Sequence, residues 1–213
     1  MTIREVQTSI SGGESQHIEF KKKVAHPEKI VREVVAFANS DGGELYIGVD
    51  DDGKISGLKF AEEEKFALES AIRRYCRPRI AFNSEIIKIT EKKSLIRYQI
   101  SESDKKPHYV IENSKGKAYV RVDDRSVQAS KEIREILRRS RSGKNVKFHF
   151  GDKEKLLMQY LLEYDAITIK KFSLIAGISQ YMASRTLILL VLANVLKVIP
   201  RELEDWYLLR NQE

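Results

Sequence analysis

The sequence of 213 residues has one cysteine, Cys76, four prolines and no long apolar run. A single cysteine excludes an internal disulfide framework, so we expect a reducing, cytoplasmic setting. The longest uniformly apolar run, residues 187–193, is far shorter than the roughly 18 residues of a membrane span, and no membrane partner is expected. The polar residues 1–16 contain no signal-peptide core. With 42% hydrophobic and 32% charged residues, the composition predicts a folded globular chain.

Positive charge is in excess, and its position along the chain is uneven. Residues 1–150 carry 30 Lys and Arg against 23 Asp and Glu, a net charge of +7, whereas residues 151–213 carry eight of each. Excess positive charge attracts polyanions through counterion release. The sequence therefore indicates nucleic acid as a partner, with scattered solubilising lysines as the alternative.

Residue periodicity predicts an α+β fold. A helix is expected from Pro27 to Asn39 because apolar residues recur there at helical spacing and a Gly pair follows. Short apolar runs at residues 45–49, 85–89, 95–100, 109–111 and 118–122 predict strands. After about residue 150, the order of helix, short extension, helix, Gly turn, helix and hairpin is typical of a winged helix. We expect a first domain at residues 1–140, a basic linker at 141–151 and a winged-helix-like domain at 152–213.

The segment from Gly48 to Ile55 nearly matches a phosphate-binding loop, but its chemistry is wrong. Ile55 has no hydroxyl group to hold magnesium, and three adjacent aspartates would repel phosphates. We therefore expect a hairpin turn here and consider ATPase activity unlikely.

Two acidic residues, Glu14 and Glu19, lie shortly before the run Lys21-Lys22-Lys23. If the chain bends between them and brings Asp50 or Asp51 close, their oxygen atoms could bind Mg²⁺ or Mn²⁺. The alternative is a set of salt bridges to the neighbouring lysines.

Several motifs resemble the Schlafen AlbA_2 domain, a family that has also been labelled a divergent, ATP-binding AAA domain. The resemblance lies in Glu14-Ser-Gln-His-Ile-Glu-Phe-Lys21, Ala36-Phe-Ala-Asn-Ser-Asp-Gly-Gly43, residues 45–53, Ile55-Ser-Gly57, Lys106-Pro-His-Tyr109 and Ala118-Tyr-Val-Arg-Val122. It spans residues 10–140 in the order of the family. The tail is similar to the winged-helix region often appended to bacterial members.

This resemblance implies an α+β fold and nucleic-acid binding. It also implies that Glu14, Glu19 and Asp51 match the metal-dependent catalytic site of the RNA-cleaving Schlafen proteins. Those proteins have two related lobes, whereas this chain has one. Candidate nucleic-acid contacts in the first domain are Lys21, Lys22, Lys23, Arg121 and Arg125.

In the second domain, Gln180, Tyr181, Ser184 and Arg185 open the predicted recognition helix, from which base contacts would come. The rest of that helix is apolar on every face, which predicts burial on more than one side and an apolar surface for a partner subunit. Dimerisation without DNA reading is the alternative for this domain.

Three functions are therefore open. The first is a DNA-binding transcriptional regulator, a homodimer whose affinity comes largely from the basic first domain. The second is an endoribonuclease that acts on structured RNA through Glu14, Glu19 and Asp51 with Mg²⁺ or Mn²⁺. The third is a dimeric scaffold that binds no nucleic acid.

Overall fold

A computed structural model of the protein describes residues 1–112, 115–140 and 149–210. The chain divides into two compact units, which meet in the sequence between Val127 and Gln128. Both units combine helices with small sheets, so the α+β fold class is confirmed.

The first unit is built around a four-stranded sheet in the order β1-β2-β5-β4, in which β1 and β2 are parallel and the other neighbours antiparallel. Shorter strands form a three-stranded sheet in the order β3-β6-β7 and a two-stranded sheet of β8 and β9. The elements are α1 (Ile3–Ile10), β1 (Ile18–Lys21), α2 (Pro27–Asn39), β2 (Gly43–Ile47), α3 (Ala61–Tyr75), β3 (Cys76–Arg77), β4 (Phe82–Thr90), β5 (Lys93–Ile100), β6 (Tyr109–Glu112), β7 (Lys115–Lys117), β8 (Tyr119–Val122) and β9 (Arg125–Gln128).

Both faces of this sheet are covered, which explains the continuous apolar run of β2. Leu45 and Ile47 belong to the core formed with α2 and α3, whereas Tyr46 belongs to a second core with Val6 and Ile10 of α1. Successive side chains of a strand point to opposite faces, so a strand that is covered on both faces needs apolar residues at successive positions. The helix α1 was not expected, since the sequence analysis predicted no helix before Pro27.

The end of α2 is hydrogen-bonded to residues at the later strands β6 and β8. The buried Asn39 donates hydrogen bonds to the carbonyl oxygens of His108 and Tyr119 and accepts one from the amide of His108. A side chain at Gly43 would come within 2.3 Å of the Phe37 ring, so only glycine fits there. This part of the Schlafen-like motif is therefore structural.

The turn at residues 48–55 is formed as predicted. Val49 pairs with Ile55 in an antiparallel bridge, and the amide of Gly53 donates to the carbonyl of Asp50. Gly48 and Gly53 adopt positive φ angles of 100° and 82°, which glycine tolerates without strain.

The second unit contains three helices followed by a hairpin, preceded by one further helix. Ile167, ahead of the second of the three, pairs with Tyr207 of the hairpin. The order of elements is the one predicted, while their interpretation as a winged helix stays a prediction. The elements are α4 (Lys131–Ser140), α5 (Asp152–Glu163), α6 (Ile169–Ile175), α7 (Gln180–Leu192), β10 (Leu196–Ile199) and β11 (Trp206–Leu209).

The sequence predicted that the first domain ends at residue 140. The second unit instead begins at Gln128 and includes the helix α4. Its cap residue Ser130 contacts the carboxylate of Asp205 at 2.5 Å, and Glu132 accepts a hydrogen bond from Ser184 at 2.7 Å. These buried polar contacts hold α4 against α7 and the hairpin. Most of the predicted linker, residues 141–148, lies outside the described residues.

Candidate nucleic-acid interface

One of the acidic residues that the sequence singled out, Glu19, pairs with a buried arginine. Arg121 of β8 is fully buried, and its Nη1 donates to Oε2 of Glu19 at 2.9 Å and to Oε2 of Glu33 at 3.0 Å. Its Nη2 donates to the carbonyl of Ser15 at 2.7 Å. The ammonium group of Lys21 pairs with the other oxygen of Glu19. Glu19 therefore forms salt bridges, which is the alternative that the sequence left open beside metal binding.

Glu33 belongs to this cluster although the sequence analysis missed it. It lies on α2 and also accepts a hydrogen bond from the hydroxyl of Ser126. Burial raises the pKa of the Glu33 carboxyl, and the nearby charge of Glu19 raises it further. A signal was available, since Glu33 lies one turn from the buried Ile30 on the apolar side of the predicted helix.

Glu14 and Asp51 lie near this cluster but form no contact with Arg121 among the described residues. Oε1 of Glu14 accepts a hydrogen bond from the amide of Phe20 at 2.8 Å. Burial raises the pKa of Glu14, and repulsion from Glu19 and Asp51 adds to the effect. Glu14 is therefore close enough to both Glu19 and Asp51 to be affected by their charge, with Asp51 exposed at the turn.

The arrangement does not fit a divalent metal ion. In the described ranges, no group of three or more His, Cys, Asp or Glu side chains is placed to hold one. Both oxygens of Glu19 already face cations, Arg121 on one side and Lys21 on the other. A third positive charge there would be repelled, so we derive no catalytic step through a metal.

The predicted cationic contacts of the first unit separate into two groups. Lys22 and Lys23 are exposed, with Lys22 3.2 Å from Asp50, and Arg125 is 72% exposed beside Asp124. Lys21 is part of the Glu19 pair, and Arg121 has no exposed surface. The assignment of Arg121 as a nucleic-acid contact is therefore corrected, because its guanidinium is used inside the core.

At the start of α7, Gln180, Tyr181 and Arg185 are exposed as a recognition helix would require. Nη1 of Arg185 donates to the Tyr181 hydroxyl at 3.1 Å, and its guanidinium lies over that ring at 5.7 Å. Ser184 instead points inward and donates to Glu132, so its assignment as a nucleic-acid contact is corrected. The reason is helical geometry, since residues one position apart face different directions.

A groove of about 390 Å³ runs between α4 and α7. From α4 it is lined by Lys131 and Arg139 together with the acidic Glu132 and Glu135, while Tyr181 and Arg185 line it from α7. The groove thus brings charged side chains of both signs on one helix next to the exposed polar start of another.

The apolar second half of α7 is covered within its own unit. Leu187 and Leu190 are fully buried, and no residue from 187 to 192 is exposed. Burial on more than one side is confirmed. The expected apolar surface for a partner subunit is wrong, because α6 and the hairpin strand β10 already pack against this helix.

The division into units also changes which part of the protein carries the excess positive charge. Residues 1–127 carry 23 basic against 21 acidic side chains, a net charge of +2, whereas residues 128–150 carry seven against two, a net charge of +5. The excess assigned to the first domain lies mainly on α4 and in the segment that follows it.

Among the described helices, none is long and apolar enough by itself to span a membrane; α6 and α7 reach that length and composition only jointly, with a bend of 113° between them.

Comparison with known proteins agrees with the resemblance. The N-terminal domain of a RecG-related protein from Nitrosomonas europaea is 25% identical, with a TM-score of 0.45 over 57% of this chain and 89% of that one. The DIP2311 protein from Corynebacterium diphtheriae is 16% identical, with a TM-score of 0.46 over 68% of this chain and 29% of that one. No curated protein matches significantly. The model of the family described as Schlafen, AlbA_2 matches residues 14–130, more than half of the sequence. The chain therefore belongs to the Schlafen AlbA_2 family.

Proposed function

We propose that this protein binds nucleic acid and acts as a DNA-binding transcriptional regulator. The family match supports a function related to nucleic acids. The observation that carries the more specific proposal is the exposed start of α7, where Gln180, Tyr181 and Arg185 face solvent and the last two line a groove with the helix α4.

The two helices suit different parts of a DNA duplex. The first residues of a recognition helix contact base edges in the major groove, and Arg185 carries the planar donor group that pairs with guanine. Lys131 on α4 is exposed and carries a compact charge suited to phosphate oxygens. In this arrangement α7 supplies the sequence preference and α4 supplies affinity that does not depend on sequence.

The proposal is tested by selecting duplexes from a random DNA library with the full chain and then measuring affinity for the selected site. We expect Arg185→Ala to weaken that binding by about 1–3 kcal/mol and to relax the preference at one position. Lys155→Ala is the matched control, since Lys155 is an exposed cation on α5 of the same unit. A library that yields no preferred sequence, or equal losses in both variants, would contradict the regulator.

We also propose that the regulator is a homodimer. A two-fold dimer is the commonest oligomer and would double the DNA-contacting surface. Leu162 and Leu174, 79% and 76% exposed on the second unit, are apolar side chains that a partner subunit could cover. The buried run in α7 no longer supports this proposal.

The ribonuclease alternative is the weaker one, because Glu19, one of its three acids, is already paired with Lys21 and Arg121. It differs from the regulator in one observable, the cleavage of folded RNA with added Mn²⁺ or Mg²⁺. Cleavage that Glu14→Gln abolishes would favour the ribonuclease, while absent cleavage together with binding of duplex DNA would favour the regulator. A protein that neither binds nor cleaves would be the scaffold.

A further inference from the structure

The first unit has a cluster of arginines at the end of α3 that the sequence analysis did not use. Four arginines occur within seven residues, and all four are exposed: Arg73, Arg74, Arg77 and Arg79, here called the arginine strip. The buried Cys76 and Ile80 direct the apolar part of this segment into the core. The surface of the segment therefore consists of guanidinium groups and Pro78.

Five of the nine arginines of this unit form ion pairs with carboxylates, and three of the four that form none in the described part of the chain lie in the arginine strip. Arg73 pairs with Glu69 at 3.3 Å, but in the described part of the chain Arg74, Arg77 and Arg79 form no ion pair. Elsewhere in the unit, Arg97 and Arg121 each contact two carboxylates. Positive charge without a nearby carboxylate is what a polyanion can neutralise with the release of its counterions.

Interactions within the protein explain only some of the four arginines of the strip. Basic residues in the last turn of a helix interact favourably with its dipole, which covers Arg73 and Arg74. Arg77 donates to the carbonyl oxygen of Arg73 at 3.0 Å and so satisfies one of the last carbonyls of α3. Arg79 lies beyond β3, where neither explanation applies.

The neighbouring strands extend the same positive surface. In the small sheet, β6 lies between β3 and β7, so the exposed Lys115 and Lys117 are two strand spacings, about 10 Å, from β3. Tyr109 pairs with Arg77 across the strands, and the Arg74 guanidinium lies 5.4 Å from the centre of the Tyr75 ring. Arginines held beside aromatic rings and strands keep their planar donor groups in place for phosphate oxygens.

We propose that the arginine strip binds the phosphate backbone of double-stranded DNA, as a second contact surface separate from α7. The inference rests on the proposed function, because it places part of the DNA contact on the first unit. A polyanion suits the strip better than a protein partner does, since protein interfaces have an apolar centre and this surface has none. Backbone contact of this kind adds affinity without sequence preference.

The test uses the full chain and a duplex of the selected sequence, with affinity measured by fluorescence anisotropy between about 50 and about 200 mM salt. We expect Arg74→Glu with Arg79→Glu to weaken binding at least tenfold and to lower the slope of log affinity against log salt by about 2, because each lost phosphate contact removes about 0.9. The matched control is Lys88→Glu with Lys92→Glu, which makes the same change of charge at the β4–β5 hairpin of another sheet.

The outcomes separate the two proposals. Binding by the unchanged protein, with equal effects in the strip variant and the control, would overturn this inference and leave the regulator standing. No binding by the unchanged protein at low salt would overturn both. If the charge reversals unfold the protein, the double variant Arg74→Gln with Arg79→Gln is used in their place. We then expect about half the effect on affinity and the same decrease in the slope of log affinity against log salt.

Discussion

Arg121 joins segments of the first unit that are far apart in the sequence. It contacts Glu19 on β1 and Glu33 on α2, which precede it by 102 and 88 residues. Its guanidinium also lies 4.7 Å from the centre of the Phe37 ring. Because burying charges is unfavourable unless they are paired, each member of this cluster depends on the others.

At this scale we predict that Arg121→Met is strongly destabilising. The change leaves Glu19 and Glu33 close together in the core without their shared cation, and removing one partner of a buried ion pair costs about 3–5 kcal/mol. Urea denaturation measures the loss. The control is Arg125→Met, four residues along, where an exposed side chain predicts a change within about 0.5 kcal/mol. Similar midpoints for the two variants would argue against a structural role for the cluster.

The elements of the second unit are joined by polar contacts as well as by an apolar core. The Ser130 hydroxyl accepts from the amide of Ile133 at 3.1 Å, which caps α4, and it contacts Asp205 of the hairpin. Burial raises the pKa of Asp205, while the hydrogen bond from Ser130 lowers it. One side chain thus serves both the start of a helix and the hairpin.

We predict that Ser130→Ala destabilises the second unit by about 1–2 kcal/mol. Loss of an N-cap hydroxyl typically costs about 1 kcal/mol, and the buried carboxyl of Asp205 also loses a partner. Thermal denaturation followed by circular dichroism gives the shift. Ser140→Ala, at the other end of α4, is the control because its exposed hydroxyl donates to the carbonyl of Leu137 of the same helix. Equal shifts in the two variants would mean that the contact with Asp205 contributes nothing.

For the whole molecule, the distribution of charge favours contact with DNA through both units. The excess of positive charge is greatest in residues 128–150 of the sequence, which include the helix α4 beside α7, and the arginine strip provides a local excess in a first unit that is nearly neutral. Steering by such fields depends on salt, because surface charges are screened over about 10 Å at 0.1 M.

The assembly state is the prediction that belongs to this scale. We expect a mass close to twice 24.6 kDa by light scattering at micromolar protein, as a two-fold dimer requires. The selected DNA should then be palindromic, with half-sites about 34 Å apart. Leu162→Lys and Leu174→Lys should each shift the equilibrium toward monomer, whereas Phe66→Lys, a change at an exposed apolar residue of the first unit, should not. A mass near 24.6 kDa for the unchanged protein would rule out the dimer.

The sequence by itself determined the fold class, the family, the helix α2, the strands β2, β4, β5, β6 and β8 and the order of elements in the second unit. The helices at Pro27–Asn39 and Gln180–Leu192 begin and end where their patterns predict, because periodicity, caps and Gly turns act over a few residues. Exposure of Gln180, Tyr181 and Arg185 also followed from the pattern. The helix α1 escaped notice because it is short, although its capping box at Thr2 and Glu5 is visible in the sequence.

Only the tertiary structure decided how the charged residues are used. It buried Arg121 between two carboxylates, turned Ser184 toward Glu132 and placed α4 in the second unit. Local sequence carries little information on such contacts, because they join residues 52 to 102 positions apart and exist only once the core has packed. A charge that serves the core and a charge that serves a ligand have the same side chain, and only its burial and its partners distinguish them.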